Sequence, residues 1–240
     1  MPRHPRLVEL AELKGSYRYG LVLLLTVLSV AVQMALPDTP ASLLLQASMM
    51  AATVLTALFA EGATRTQWRR LIVVIAVAMV ALIAASIAGR GSTERGVMYS
   101  LSGVLAASGA IIVVRGVVAG IRSEQRVSLH SVLGVVTVYL LAGLIFAFVY
   151  SLMSTIAGSP VLSHLGADQH AEQVYFSFIT LATVGYGDIV PIVSAARMTA
   201  VFEGLFGQLY LVTVVAVIVS NASRGRGGPL SSEGDRAGGS

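Results

Sequence analysis

Six long apolar segments constrain this chain more than any other feature of its sequence. They cover residues 19–36, 41–60, 71–88, 97–119, 130–155 and 198–220. A bilayer core about 30 Å thick is crossed by a helix of about 20 apolar residues, so each segment is long enough to span it. The segments contain no Asp or Lys, and the only charges inside them are Arg115 and Glu203. This pattern predicts an all-α integral membrane protein with six transmembrane helices.

The composition argues against most other classes of protein. Of the 240 residues, 55% are hydrophobic and 12% are charged, whereas a soluble domain usually carries about 25% charged residues. A water-soluble enzyme and a disordered protein are both disfavoured by these figures. Cysteine is absent, which excludes disulfides and thiolate metal sites. The chain also lacks a catalytic triad arrangement and a phosphate-binding loop, so we predict no enzymatic activity and no organic cofactor.

The basic residues predict how the helices are oriented. With the N-terminus in the cytoplasm, twelve Arg and Lys residues fall on the inner side, and three, Arg90, Arg95 and Arg197, fall on the outer side. Cytoplasmic loops of membrane proteins carry the excess of positive charge. We therefore predict a multi-pass protein of the cell membrane with both termini in the cytoplasm. The net charge of +4 is explained by this asymmetry, and no nucleic-acid partner is expected.

The apolar segments divide the chain into five regions. Residues 1–18 form a cytoplasmic arm, either a short interfacial helix or a solvated, partly helical stretch. Residues 19–119 form a four-helix membrane domain, residues 120–129 a cytoplasmic linker, and residues 130–222 a second membrane domain. Residues 223–240 are rich in Gly and Ser and predict a disordered tail, with no cytoplasmic regulatory domain attached. Arg stands at fifteen of the sixteen basic positions, which we interpret as a bacterial origin.

The long connection between the fifth and sixth segments carries the chemistry. Residues 171–182 are largely apolar but too few to cross the bilayer, so they predict a re-entrant half-helix that stops midway. Residues 183–188, Thr-Val-Gly-Tyr-Gly-Asp, then return outward as extended chain. Backbone without helical hydrogen bonds is tolerated at this depth where it is buried in protein or lines a water-filled path. Gly185 and Gly187 permit dihedral angles that let successive carbonyl oxygens face one axis and bind a dehydrated cation.

The stretch from Thr180 to Asp188, TxxTVGYGD, resembles the selectivity filter of potassium channels. Gly207 follows Asp188 by nineteen residues, a spacing similar to that of simple two-helix bacterial potassium channels. The resemblance covers about residues 169–223 and extends less closely to residues 130–155. Over the first four segments, only the number of helices is similar to that of six-helix channels.

The resemblance implies a set of stacked sites for potassium, the permeant ion. The carbonyl oxygens of Thr183, Val184, Gly185 and Tyr186, with the hydroxyl of Thr183, would bind the ion, and Gly187 completes the filter. Val184 and Tyr186 are expected to point outward into protein and to hold the strand at a fixed width. One strand encloses nothing and the chain has one filter, so the resemblance implies a homotetramer in membrane lipid.

Four residues are expected to support the filter: Asp188, Tyr175, Phe176 and Thr180. Many relatives have two tryptophans where this chain has Tyr175 and Phe176. Phe176 has no polar hydrogen to donate to Tyr186, whereas we expect the hydroxyl of Tyr175 to reach Asp188. Filter stability and inactivation should therefore differ from those of the relatives that have both tryptophans.

The inner helix, predicted over residues 198–220, contains two glycines and a spaced apolar stripe. By position Gly207 resembles a gating hinge, and close helix packing is the alternative for it and for Gly204. Leu211, Val215 and Val219 recur every four residues, which predicts that they line a cavity and an inner hydrophobic gate, or that they only pack.

The two charges inside the segments have separate interpretations. An ionisable group at membrane depth is costly, so Glu203 either supports the base of the pore helix, biases gating or makes a structural hydrogen bond to Thr or Gln. Arg115 is the only basic residue inside the fourth segment. One charge in each of four subunits supplies about 9 kcal/mol per 100 mV, whereas three to four charges would supply about 28 to 37. We therefore predict that gating is not steeply voltage-dependent and that the first four helices are a voltage-sensor-like or divergent scaffold.

The sequence thus predicts passive, potassium-selective conduction by a homotetramer. Two alternatives stay open: a non-conducting membrane scaffold or sensor that retains a pore loop, and a weakly selective cation channel. The outer connection also carries His164, Asp168, His170 and Glu172. These residues form either a solvated turret or a site that attracts cations or senses external pH.

Overall fold

The computed structural model describes residues 5–37, 39–61, 69, 73, 80, 92–124, 129–164, 166 and 169–224. Within them the chain forms six helices: α1 (Pro5–Ala35), α2 (Pro40–Glu61), α3 (Ser92–Glu124), α4 (Leu129–Ala157), α5 (Gln169–Leu181) and α6 (Ser194–Arg224). The only β-pairing in this part of the chain is a single bridge between Leu162 and Pro191. The described part of the chain is therefore all-α, as its composition predicts.

Five of the helices are long and apolar enough to cross a membrane. Their apolar windows are Arg18–Ala35, Ala41–Ala60, Arg95–Ala119, Ser131–Ala157 and Ser194–Val217. They correspond to the first, second, fourth, fifth and sixth predicted segments. The third predicted segment, residues 71–88, lies outside the described residues apart from two isolated positions. The count of six spans therefore stays a prediction.

Three helices extend beyond the bounds that hydropathy predicts. The predicted N-terminal arm is not a separate element from residue 5 onward, because α1 continues without a break into the first span. The helix α3 continues into the predicted linker, and α6 continues to Arg224, two residues into the predicted tail. The 31 residues of α1 extend about 46 Å, well beyond a bilayer core of about 30 Å. The remainder of the tail lies outside the described residues.

Reciprocal capping bonds shape the short connection between α1 and α2. The backbone N–H of Thr39 donates to Ser42 Oγ at 3.0 Å, and the N–H of Ser42 donates to Thr39 Oγ1 at 3.2 Å. Two of the amide groups that a helix start leaves free are satisfied in this way. Pro40 stands at the first helical position, where an N–H is not needed. The tight turn brings α1 and α2 side by side.

The helix α4 is the element on which the other described helices assemble. It contacts α1, α3, α5 and α6. The main core lies between α2, α3 and α4, where Met50 and Leu105 pack with Leu141, Leu144 and Phe148. Val174 of α5 belongs to the same core. The short helix α5 is therefore held from one side by α1 and α4, both of which it contacts.

By contrast, α6 contacts only α4 and α5 among the described helices. Only 11% of its apolar window is buried, against 50% for α4. Five large side chains on α6 are between 55% and 65% exposed: Met198, Phe202, Leu205, Leu209 and Val212. Their spacing of three and four residues places them along one side of the helix. The single chain thus leaves a continuous apolar face on α6 uncovered.

Candidate functional site

The chain around α5 forms a loop that leaves and returns at the same end of α4 and α6. The N–H of Ser163 donates to the carbonyl of Val190 at 2.8 Å, and the N–H of Ile192 donates to Val161 at 3.0 Å. We call this pairing of residues 161–163 with residues 190–192 the outer clamp. It joins the segment before α5 to the segment before α6.

The other end of α5 lies far from the outer clamp, against the middle of its two long neighbours. The carbonyl of Leu181 accepts a hydrogen bond from the Tyr139 hydroxyl at 3.1 Å. Tyr139 lies eighteen residues before Ala157, the last residue of α4, which is about 27 Å along the helix. A Cβ at Gly207 would be 2.1 Å from the same carbonyl oxygen, so close packing alone accounts for glycine at this position.

The backbone that follows α5 alternates in conformation. Thr183, Gly185 and Gly187 have φ values of 58°, 51° and 81°, whereas Val184 and Tyr186 between them do not have positive φ. Such alternation turns successive carbonyl groups toward the same side of the chain. A threonine with positive φ is uncommon because its Cβ is disfavoured there, so Thr183 carries local strain that its surroundings must offset.

Hydrogen bonds from the end of α5 hold the start of this strained segment. The N–H of Thr183 donates to Thr180 O at 2.9 Å, and the N–H of Val184 donates to Ile179 O at 2.8 Å. The carbonyl of Thr180 also lies 3.9 Å from the position that a Cβ on Gly204 would occupy. Thr180 and Gly204 therefore lie together where α5 meets α6.

The side chains of the alternating segment are exposed within one chain. Tyr186 is 73% exposed and Val184 is 50% exposed. The sequence predicts that both point into surrounding protein, and the described residues of the single chain leave both exposed.

Tyr175 and Asp188 form the pair that the sequence predicts. The hydroxyl of Tyr175 donates to Asp188 Oδ2 at 2.8 Å. This hydrogen bond holds the pKa of the Asp188 carboxyl below its usual value, so a negative charge stands at the outer end of the loop. Phe176 packs edge-to-face against Tyr150 of α4 at a centroid distance of 5.2 Å.

Glu203 is fully buried at a junction of three helices. The hydroxyl of Tyr150 in α4 donates to Glu203 Oε2 at 2.8 Å. Ser177 Oγ in α5 is in hydrogen-bond contact with Glu203 Oε1. The sequence suggested Thr or Gln as partners for the structural role, and the structure places Tyr and Ser there instead. Within the described residues, no Lys or Arg forms an ion pair with this carboxyl group.

The predicted gate residues lie in the C-terminal half of α6. Leu211 is 44% exposed and Val215 is 57% exposed. Val219 belongs to the same helix, and its side chain lies outside the described part of the structure. The structure therefore leaves Leu211 and Val215 without full cover in a single chain, as on the rest of this helix.

His170 contradicts the prediction of a solvated turret. It is fully buried, and its ring stacks on Tyr99 and Phe148 at centroid distances of 5.1 and 5.3 Å. His170 Nε2 lies 3.0 Å from Gln33 Oε1 in α1, and Nδ1 lies 2.7 Å from Ser151 Oγ in α4. Burial lowers the pKa of His170 to about 4, so the ring is neutral near neutral pH.

Helical spacing is the sequence signal that could have identified this buried histidine. The buried residues of α5 include His170, Val174, Ser177 and Leu181. They recur every three or four residues, which is the period of one helix face. Of the other turret residues, Glu172 accepts a hydrogen bond from the N–H of Gly166 at 2.6 Å. Asp168 lies outside the described residues.

Side chains do not supply a metal site in the part of the chain that the structure describes. No group of three His, Asp or Glu residues there is close enough to hold a metal ion. The sequence predicts that the ligands of a cation are instead the backbone carbonyls of the segment after α5. Such ligands suit a hard cation that exchanges water for carbonyl oxygen.

Comparison with known proteins points to the same part of the chain. Residues 134–224 match a family described as ion channel. The inward rectifier potassium channel Kirbac3.1 of Paramagnetospirillum magnetotacticum is 30% identical over 94 residues, which are 39% of this chain and 30% of that channel. The matched region thus spans less than a third of the length of this relative. Together with the five apolar helices, these matches show a membrane protein with an ion channel domain.

Proposed function

Because residues 134–224 form an ion channel domain related to those of potassium channels, we propose that this protein conducts potassium passively and selectively across the cell membrane as a homotetramer. The observation that carries the proposal is the alternating backbone of residues 183–187. The potassium channel named among the relatives supports the choice of ion.

In this proposal the filter replaces the hydration shell of the ion with protein oxygen. The carbonyl groups of Thr183, Val184, Gly185 and Tyr186 bind potassium together with the hydroxyl of Thr183, and Gly187 completes the turn. Sodium holds its water more tightly and is replaced less well at the same ligands. The ionised carboxyl group of Asp188 at the outer end attracts cations toward the entrance.

The uncovered face of α6 supports the tetramer. This face lies next to the exposed filter strand, so further copies that meet on an axis at the strand would also cover α6. Four copies around one axis would place four strands of carbonyl groups around the ion. Leu211, Val215 and Val219 are proposed to line the inner end of this pore, and Gly207 to be a point where α6 can bend.

The remaining regions are proposed to form a scaffold around the pore domain of residues 130–222. Arg115 is the one charge inside the fourth apolar segment, and it lies four residues before the window of α3 ends at Ala119. A single charge per subunit gives weak coupling to voltage, so we propose gating that is not steeply voltage-dependent. Both termini are proposed to lie in the cytoplasm, as the distribution of basic residues indicates.

Potassium flux into liposomes that contain the purified full-length protein tests the proposal. We expect a barium-sensitive flux and, in mixed sodium and potassium, a reversal potential close to that of potassium. Gly185→Ala should abolish the flux because a Cβ disfavours the φ of 51° at that position. Gly158→Ala is the matched control, since Gly158 has a φ of 65°, equal space for a Cβ and a position outside the strand.

Each alternative has its own outcome in this experiment. A purified tetramer without flux would favour a non-conducting scaffold. A reversal potential midway between the two ions would favour a weakly selective cation channel. Equal loss of flux in Gly185→Ala and Gly158→Ala would mean that a Cβ at any residue with positive φ has this effect, whether or not it lies in the filter strand. A monomeric protein would overturn the proposal altogether.

A further inference from the structure

The junction around Glu203 contains three oxygen–oxygen contacts of hydrogen-bond length. Ser177 Oγ lies 2.7 Å from the carbonyl oxygen of Gly143, and the same Ser177 Oγ contacts Glu203 Oε1. Tyr150 Oη lies 2.8 Å from Glu203 Oε2. Tyr150, Ser177 and Glu203 are all completely buried, so these contacts are their means of satisfying polar atoms.

Each of the three contacts requires one hydrogen atom between its two oxygens. The hydroxyl groups of Tyr150 and Ser177 supply one hydrogen each, and the carbonyl of Gly143 supplies none. An ionised Glu203 also supplies none, which leaves three contacts with two hydrogens. A proton on Glu203 Oε1 provides the third and satisfies every contact at once.

The surroundings of Glu203 also favour the neutral acid. The residue lies nine positions into the window that begins at Ser194, or about 14 Å along the helix. Within the described residues no cation pairs with it, and a buried carboxylate without a cation is strongly disfavoured. A neutral carboxylic acid that donates one hydrogen bond and accepts another avoids this penalty.

We infer that Glu203 is held as the neutral carboxylic acid, and that its proton completes one hydrogen-bonded chain across three helices. Tyr150 of α4 donates to Glu203 of α6, Glu203 donates to Ser177 of α5, and Ser177 donates to Gly143 of α4. Ser177 lies six residues before Thr183 in the chain. Glu203 is therefore a positioning residue: it ties α5 to the two long helices, and this role, unlike the protonation, rests on the proposed function.

An ionised Glu203 would change this connection in a defined way. The Ser177 hydrogen would then point to the carboxylate, and the bond from Ser177 to Gly143 would be lost. The tie between α5 and α4 at this level would be broken while the tie to α6 remained. Protonation thus decides whether α5 is held by both neighbours or by one.

Infrared spectroscopy of the full-length protein in liposomes tests the protonation directly. The wild type near neutral pH should show the carbonyl-stretch band of a protonated carboxylic acid, which moves in deuterated water and is missing in Glu203→Gln. Absence of the band in the wild type would overturn the inference even if the protein conducts potassium. A clear carboxylic acid band in a protein that shows no potassium flux would support the protonation of Glu203 and contradict the proposed function.

Substitution of Glu203 tests the positioning role. The amide of Glu203→Gln has the same shape and can donate to Ser177 and accept from Tyr150, so flux should stay within about twofold of the wild type. Glu203→Leu removes both bonds, and flux should fall about tenfold or more. Equal loss in both variants would mean that the negative charge is required, which contradicts the inference.

Ion selectivity separates positioning of the filter from simple stabilisation. A Glu203→Leu tetramer should shift its reversal potential toward that of sodium, and unchanged selectivity in a folded tetramer would overturn the positioning role. If Glu203→Leu yields no tetramer, Tyr150→Phe replaces it, because it removes one bond and leaves the Ser177 bonds intact. Tyr150→Phe should raise the frequency of the carboxylic acid band and shift selectivity slightly, and no change in either would contradict the chain.

Discussion

The helices α4 and α6 both pack against the short helix α5, but they differ in how much of their surface the rest of the chain covers. The window of α4 is the more apolar, with a mean hydropathy of 2.6 against 1.8, and it is half buried, whereas only 11% of the α6 window is buried. Four described helices contact α4, and two contact α6. Within the described residues, helices of the same chain cover about half of the α4 window but only a small part of the α6 window.

The contacts that each helix makes also differ in kind. The core around α4 is broad and built from large apolar side chains such as Leu141, Leu144 and Phe148. The contacts of α6 with its own chain include a buried acid, Glu203, and the close approach of a glycine, Gly207. A few specific contacts position α6 precisely enough to present the rest of its surface outward. This difference fits the proposed homotetramer, in which further copies would cover the open side of α6.

The largest expected effect comes from the open face of α6. Leu205→Asn should prevent formation of the tetramer and abolish flux, because burial of an amide without a partner costs about 2–7 kcal/mol. Ile111→Asn is the matched control on α3, where the side chain is 60% exposed and belongs to no proposed interface. Light scattering of the purified proteins gives the oligomeric state. Equal loss of tetramer in both variants would contradict the assignment of the α6 face, and not other exposed faces, to the subunit interface.

The next largest effect is expected at Gly207, where α6 packs closely against the end of α5. Gly207→Ala should destabilise the protein by about 3 kcal/mol, the upper end for overpacking, because the new methyl group meets the backbone carbonyl of Leu181. Gly204→Ala should change stability by less than about 1 kcal/mol, since its Cβ has an ordinary contact distance of 3.9 Å. Unfolding in increasing detergent measures both. Unchanged stability with altered opening in Gly207→Ala would favour a hinge over packing.

The buried His170, which contacts Ser151 of α4 and Gln33 of α1, predicts a smaller effect of pH on the stability of the protein. Burial lowers the folded pKa of His170 to about 4, whereas the unfolded ring has a pKa of about 6.5. The unfolded state therefore binds the proton first as pH falls, so this stabilisation is complete above about pH 6.5 and is lost toward pH 4. We expect a loss of about 2 kcal/mol between about pH 7.5 and about pH 5.

Thermal unfolding across this pH range measures the effect of His170. His170→Gln should flatten the dependence of the unfolding temperature on pH, whatever its own stability. His164→Gln, which changes an exposed histidine of the same connection, should leave the dependence as it is in the wild type. An identical pH dependence in all three proteins would show that another group is responsible.

The smallest effect is expected at the exposed pair of Tyr175 and Asp188. Tyr175→Phe removes the hydrogen bond that holds the pKa of the Asp188 carboxyl down, so external protons should reduce the single-channel current at a higher pH than in the wild type. Tyr210→Phe is the control, because that hydroxyl donates to Val135 in α4. A pH midpoint that moves equally in both variants would contradict this assignment.

Much of the architecture could be predicted from the sequence because it depends on local patterns. Apolar length predicted each of the five long helices that the structure describes, although the ends of α1, α3 and α6 extend further than hydropathy indicates. The bond from Tyr175 to Asp188 was predictable because the two residues are only 13 positions apart in the connection between α4 and α6. Residues 171–182 were recognisable as a short helix because their apolar run is bounded by the glycine-rich strand.

The partners of Glu203 and the burial of His170 could not be predicted in the same way. Tyr150 lies 53 residues before Glu203 in the chain, and Gln33 lies 137 residues before His170. Such pairs depend on how each helix is rotated about its axis. A helix such as α4, which is apolar on all sides, carries little information about that rotation.

The outer clamp limits how the long helices can move relative to each other. Residues 161–163 and 190–192 are joined through backbone bonds, so the top of α6 and the approach to α5 shift together as one body. Any movement of α6 that opens the far end of the proposed pore would then take place beyond this clamp, while the clamped end keeps its position.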